Sequence, residues 1–227
     1  MKAKILLIGC MLSALTGADA SAAVITMNPI TGAKPNTSNP YTTGISSDYA
    51  SLLTATGIGR GAGITGVNMN DTYSANGFAT GGTLNTANND YFTFTITANP
   101  GYQIDFSDFT FNGLRLVNGP SSLALRSSLD GYASNIGTVV ATSTSATTHT
   151  VDLSGTDFLD VTDVTFRLYG YNATNNFGQG QYSVNSYEFN GTVEAVPEPQ
   201  SLALVGVGSL LMFGYLRRTR KEADAVA

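Results

Sequence analysis

The chain of 227 residues contains no tryptophan, one cysteine and one histidine, and each shortage excludes a kind of chemistry. A zinc site draws three or four ligands, mostly from His and Cys, so one residue of each type does not build one. A lone thiol, Cys10, forms no intramolecular disulfide. Nucleophilic catalysis by serine needs a neighbouring base, and His149 sits in a polar Ser/Thr stretch with no G-x-S-x-G motif in the chain. His149 therefore reads as a solvated side chain. Basic residues are scarce as well. From Ser21 to Pro199 there are five of them, Lys34, Arg60, Arg115, Arg126 and Arg167, against thirteen acids, a net charge of −8. An acidic surface of that kind disfavours nucleic acid and anionic membrane as partners. The glycine-rich run from Gly57 to Gly66 has no following lysine and no helical pattern after it, so it reads as a flexible loop and not a phosphate cradle. Helical periodicity is missing between Val24 and Glu194, apart from a weak segment from Asp48 to Leu53.

Both ends of the chain carry addresses. Lys2 and Lys4 precede an apolar run from Ile5 to Leu15, and Ala18-Asp19-Ala20 offers an A-x-A cleavage site. Those are the parts of a secretory signal peptide, predicted over residues 1–22, with the mature chain beginning near Ser21 or Ala23. Leu7-Ile8-Gly9-Cys10 competes as a lipobox, but the apolar run continues past it through Met11 and Leu12. Export through the secretion translocon and removal of the leader by a signal peptidase follow from the first reading, and Cys10 then leaves with the leader.

The opposite end reads Val196-Pro197-Glu198-Pro199, then an apolar stretch over residues 201–216, then Arg217, Arg218, Arg220 and Lys221, and a short tail at 222–227. Two prolines around a glutamate hold the backbone extended and remove two N–H donors, which exposes a peptide suited to a protease cleft. Sixteen helical residues rise about 24 Å, just short of the ~30 Å hydrocarbon core, so a transmembrane helix at 201–216 spans only with help from its flanks. The basic cluster keeps its own side cytoplasmic and puts the preceding domain outside. This order of Pro-Glu-Pro box, short apolar helix and arginine-rich end resembles the PEP-CTERM sorting signal. Such tails also go under a name that refers to ice-binding proteins, which implies nothing about ice here. The resemblance covers residues 195–221 and implies an exosortase, a membrane-embedded cysteine transpeptidase, as processing partner. It further implies an inner-membrane-anchored precursor, then a place at the cell surface or in an extracellular polysaccharide matrix such as a biofilm.

The region between the two signals alternates. Phe92, Phe94 and Ile96 interleave with threonines, Asn99-Pro100-Gly101 interrupts, and Tyr102, Ile104 and Phe106 resume. The pattern predicts a hairpin with one buried face. Phe109 and Phe111, Leu123 and Leu125, an Asp130-Gly131 turn, Val151 and Leu153, then Val164, Phe166 and Leu168, and finally Tyr187, Phe189, Gly191 and Val193 continue it. Residues 23–194 are thus expected to form one extracellular all-β domain, an antiparallel β-sandwich of jelly-roll type. The segments 125–132, 166–171 and 187–193 resemble stretches of extracellular domains that carry PEP-CTERM tails, which look like jelly rolls and are similar in shape to carbohydrate-binding modules. No activity follows from that shape.

Three kinds of site remain as expectations. If Phe166 and Leu168 point inward, Arg167, Tyr169 and Tyr171 point outward, and Tyr182 is placed to join them in a tyrosine-lined carbohydrate-binding face. Asp157, Asp160 and Asp163 recur every third residue, a spacing that serves turns or a calcium ion held by loop oxygens. Asn88, Asn89 and Asp90, just before a strand, form a second calcium candidate. No other cofactor is expected. Asp105 and Asp108, or the aspartates at 157–163, are the carboxylates from which a glycoside hydrolase would have to draw its pair. The resulting expectation is a non-catalytic surface or matrix protein associated with polysaccharide; a carbohydrate-binding module is the alternative, and a glycoside hydrolase the remote one.

Overall fold

The computed structural model describes residues 23–178 and 180–196. The expected signal peptide, Pro197, Glu198, Pro199, the 201–216 helix and the basic residues Arg217, Arg218, Arg220 and Lys221 lie outside the described residues. Within them the chain forms eleven strands and three single-turn 3-10 helices: β1 (Ala23–Pro29), β2 (Leu53–Arg60), β3 (Thr65–Val67), β4 (Tyr73–Asn76), β5 (Tyr91–Ala98), β6 (Tyr102–Arg115), β7 (Pro120–Ser127), β8 (Gly137–Val140), β9 (Thr147–Asp152), β10 (Asp163–Ala173) and β11 (Gln181–Ala195). No helix among the described residues is long and apolar enough to cross a membrane.

The strands make two antiparallel sheets. One runs β3-β4-β11-β6-β9, with β1 beside the middle of β11, residues 186–191; the other runs β2-β5-β10-β7-β8. Setting β2, β3 and β4 aside, the pairs are nested: β1 with β11, β5 with β10, β6 with β9 and β7 with β8. A long antiparallel ribbon folded across two facing sheets in this way is a jelly roll. β2 to β4 are an insertion between its first two strands, extending one edge of each sheet.

Alternation puts the phenyl rings between the sheets. Phe94 and Phe166 from one sheet meet Phe109 and Phe189 from the other, with ring centroids 5.2 Å apart for Phe94–Phe109, 4.9 Å for Phe166–Phe189 and 4.3 Å for Phe109–Phe189. All four rings are buried, and each contributes on the order of 2–3 kcal/mol by leaving water. The two strands around Asn99-Pro100-Gly101 are not a hairpin. β5 and β6 lie in opposite sheets, and the turn carries the chain across the sandwich. Alternation reports which face of a strand is buried, and β5 and β6 bury theirs from opposite sides of one core, Phe94 against Phe109.

Two further expectations are corrected. Most of the Gly57–Gly66 run is strand: β2 extends to Arg60 and pairs with β5. Gly57 occupies a bulge at φ +79, where a Cβ would stand 2.2 Å from the Tyr41 carbonyl oxygen, so glycine here serves close backbone approach. Residues 48–52 form turns that lead directly into β2, not a helix. His149 is half-buried on β9, its ring centroid 5.2 Å from that of Phe111, and burial lowers its pKa.

Candidate functional site

The expected sugar platform is occupied by the protein itself. On the outer face of β10, the Arg167 guanidinium carbon lies 4.4 Å from the Tyr91 ring centroid and 3.8 Å from that of Tyr132. Arg167 Nη1 donates to the Tyr169 hydroxyl at 3.4 Å, and Tyr169 meets Tyr91 edge-on at 5.1 Å. This cation–π sandwich closes over Tyr169, which is 0% exposed, so its ring face is closed to a sugar. Tyr171 is half-buried further along the strand. Tyr182 is not on this face at all. It sits on β11 in the other sheet, 0% exposed, with its ring against Phe92 in the core, because the inward phase of β11 includes it.

What the arginines build is a loop. Arg126 faces Arg167 across the β7–β10 ladder, and it too reaches into residues 128–136. Its Nε donates to Asn135 Oδ1 at 2.7 Å, and its Nη1 to the carbonyls of Tyr132 and Ala133 at 2.7 and 2.9 Å. Asp130 closes the same loop from within, accepting from the N–H groups of Ala133 and Ser134. Gly131 and Tyr132 both take left-handed backbone there, which lets the chain double back and lay the Tyr132 ring under Arg167.

This loop is one wall of a cleft of about 680 Å³. The opposite wall is the turn after β9, bringing Asp152, Gly155, Asp157 and Phe158. Leu129, substantially exposed, and the more buried Ile136 and Phe158 give the cleft apolar surface, while Asp130, Asn135, Asp152 and Asp157 line it with acceptors. Ser127 also lines it. The residue is 3% exposed, and its hydroxyl makes no capping bond to the turn that it begins. Among the described residues no lysine or arginine lines the cleft. The slight burial of Asp130 works to raise its pKa, but the bonds from Ser134 and Ala133 outweigh it and hold the carboxyl below its ordinary range. Bonds from the Ser154 hydroxyl and N–H do the same for Asp152. Sequence reading missed this site because its walls come from two loops more than fifteen residues apart. The Asp130-Gly131 turn marked one of them, with nothing to say what faced it.

The aspartates spaced by three do not converge. Asp157 lines the cleft; the Asp160 carboxylate accepts from the Gln103 side chain, and its N–H donates to Asp105; Asp163 accepts from the Thr97 hydroxyl at 2.6 Å. Between them Val161 is drawn into a bridge with Ile104, which turns successive carboxylates toward different neighbours. Among the described residues no group of three or more His, Cys, Asp or Glu side chains is placed to hold a metal ion. Asp108 is likewise engaged, accepting from the Ser107 hydroxyl and the Asn190 amide.

At the far end, β11 runs to Ala195 and Val196 N donates to the Gly101 carbonyl at 2.9 Å, so the chain enters its C-terminal segment directly from the sheet. No curated protein sequence matches the chain. Among solved structures it is similar to the K1 cleaved adhesin domain of Lys-gingipain from Porphyromonas gingivalis W83, at 15% identity and a TM-score of 0.32, over 64% of this chain and 91% of that one. It is also similar to an isomalto-dextranase of Arthrobacter globiformis T6 complexed with panose, at 13% identity and a TM-score of 0.33, over 64% of this chain and 24% of that one. At such scores neither lends this chain an activity or a ligand. The family comparison falls on the tail. The PEP-CTERM protein-sorting motif matches residues 195–221, so this chain carries the mark of an exported protein that an exosortase processes at the membrane.

Proposed function

We propose that the β-sandwich is the non-catalytic cargo of that sorting signal, a surface or matrix protein held in the inner membrane by residues 201–216 until an exosortase cuts near Val196-Pro197-Glu198-Pro199. The carrying observation is the sorting motif beginning where β11 ends, which leaves a folded, acidic domain as what is delivered. The signal peptidase and the translocon act on it first.

Polysaccharide is the proposed companion, and the cleft between residues 128–136 and 152–158 is the proposed contact. An apolar floor rimmed by convergent acceptors suits a hydroxyl-rich ring, and a lining without lysine or arginine favours neutral over anionic sugars. The non-catalytic reading is supported by the state of the rim: glycoside hydrolysis needs a carboxyl kept protonated by a raised pKa, whereas Asp130 and Asp152 are both held low. Affinity electrophoresis of the full chain through gels containing neutral polysaccharide tests the contact. Retardation that drops about five- to tenfold in Leu129→Ala or Asp157→Ala, equivalent to about 1 kcal/mol, supports it. Unchanged mobility in every variant removes the cleft from the account, and release of reducing sugar by the wild-type chain overturns the non-catalytic reading.

A further inference from the structure

His149 lies on the inner face of its sheet. It pairs with Phe111 of β6, and Thr147 pairs with Gly113; on the other side of β6, Tyr182 pairs with Arg115. Cross-strand partners share a face, so Arg115 and His149 stand on the core side of the sheet, where Gly113 ends the run of phenyl rings on β6. Between β9 and the chain that leaves β8 there is a cavity of about 60 Å³, lined by Gly113, Arg115, Thr147, His149 and Tyr182 with residues 140–143. β8 and β9 are the last strands of their sheets, which places the cavity at the open edge of the sandwich.

The Tyr182 hydroxyl is the group that the fold leaves unanswered. Tyr182 is 0% exposed, and its hydroxyl has no hydrogen-bond partner in the protein, a costly state for a buried polar group. The ring lies across Gly113, where an added Cβ would stand 2.7 Å from the hydroxyl oxygen. Since β6 separates β11 from β9, the phenol crosses β6 at its glycine and delivers the O–H to the cavity. Arg115 brings positive charge to the same place. Its guanidinium donates to the carbonyls of Leu116, Ala141 and Val117 at 3.3, 3.4 and 2.7 Å, neutral partners that leave N–H groups of the fork to spare. Among the described residues no Asp or Glu lines the cavity. A hydroxyl donor, a guanidinium and an imidazole without a facing carboxylate form the complement of a small anion, and a planar carboxylate suits the guanidinium fork best.

We infer that Tyr182, Arg115 and His149 form a binding site for a carboxylate group, carried by a small organic acid or by an acidic sugar at the edge of the sandwich. The site is separate from the cleft between residues 128–136 and 152–158, whose rim holds acceptors and suits the opposite kind of ligand. Burial lowers the His149 pKa below its ordinary 6.5, and a carboxylate beside the imidazole favours its protonated form. Binding therefore strengthens as pH falls through the imidazole pKa. The charged or titratable groups that face His149 in the cavity are Arg115 of β6 and Tyr182 of β11; among the described residues, β8 and the chain after it bring none.

Because the chain holds one histidine, the imidazole C–H resonances of the untagged full chain in detergent report on this site alone. The test is the titration of His149 with and without sodium acetate at matched ionic strength, with sodium glucuronate as second probe. Acetate is expected to raise the His149 pKa by at least about half a pH unit and to raise the melting temperature. Both effects are expected to vanish in Tyr182→Phe, which keeps the ring and removes the O–H. A general effect of salt runs the other way, because screening the field of an acidic domain lowers an imidazole pKa. A glucuronate effect as large as that of acetate assigns the carboxylate to a sugar; an effect of acetate alone assigns it to a small acid. Should Tyr182→Phe not fold, Arg115→Gln carries the test, with the acetate effect reduced at least severalfold. A His149 pKa that acetate leaves unchanged or lowers, or a rise undiminished in a folded Tyr182→Phe or Arg115→Gln chain, overturns the site.

Discussion

Arg126 and Arg167 stand directly opposite each other on β7 and β10, and both spend their guanidinium groups on the same loop. Like charges in register destabilise a sheet unless each is otherwise engaged. Arg126 is engaged by two carbonyls and an amide, Arg167 by two tyrosine rings. The pair thereby fixes the wall of the cleft from below.

Arg126→Ala is expected to cost about 1.5–3 kcal/mol, the range for hydrogen bonds that involve a charged group. The larger sign is local: amide exchange within residues 128–136 should accelerate well before global unfolding. Arg126→Lys should recover little, because an ammonium does not reproduce the fork that reaches three acceptors. Retention of native exchange rates in Arg126→Ala would mean that the loop holds itself.

Tyr169→Ala separates a packing role from a binding one. With Tyr169 at 0% exposure beneath Arg167, truncation should lower stability by about 3 kcal/mol or more and leave polysaccharide retention unchanged once the variant is folded. The reverse result, stability kept and retention lost, would restore the tyrosine face as a sugar platform.

Much of the fold was legible in the alternation. The phase of Phe92, Phe94 and Ile96, of Val164, Phe166 and Leu168, and of Tyr187 and Phe189 named the core correctly, because a period of two leaves one face for the interior. The same rule misassigned Tyr169 and Tyr182 for different reasons. Tyr169 points outward as expected, but neighbours cover it; Tyr182 lies beyond a β-bulge between Val184 and Ser186 that moves the inward phase of β11 from Tyr187 and Phe189 onto Val184 and Tyr182. Sheet membership was beyond reach for β5 and β6, since burial phase is the same whether a strand's partner lies beside it or across the core. The sorting motif was fully readable, because contiguous residues carry it. The cleft was not, because Asp130 and Asp157 meet only after the jelly roll brings their loops together.

Alkaline pH should unfold the domain through its buried phenols. Burial pushes Tyr73 up to about 12 from an ordinary value of 10.0, with the Arg60 guanidinium nearby opposing the shift, and burial raises Tyr182 and Tyr187 further still. The folded state therefore favours the neutral phenols. Their contribution is complete below pH 10, where the unfolded chain would begin to ionise, and declines as pH rises from about 10 through 12. Tyrosinate absorbance and circular dichroism recorded together should show these tyrosines ionising only as the β signal collapses. Full ionisation near pH 10 with an intact β spectrum would contradict the packing described for all three.

The most direct measurement of the central account is the C-terminus of the exported protein, read by intact mass and terminal peptide sequencing from cells that make it. Sorting through the motif at residues 195–221 predicts a chain that ends near Pro197 to Gln200, immediately after β11, with Arg217, Arg218, Arg220 and Lys221 absent. Extracellular protein that retains intact peptides from Arg217 to Ala227 would contradict it.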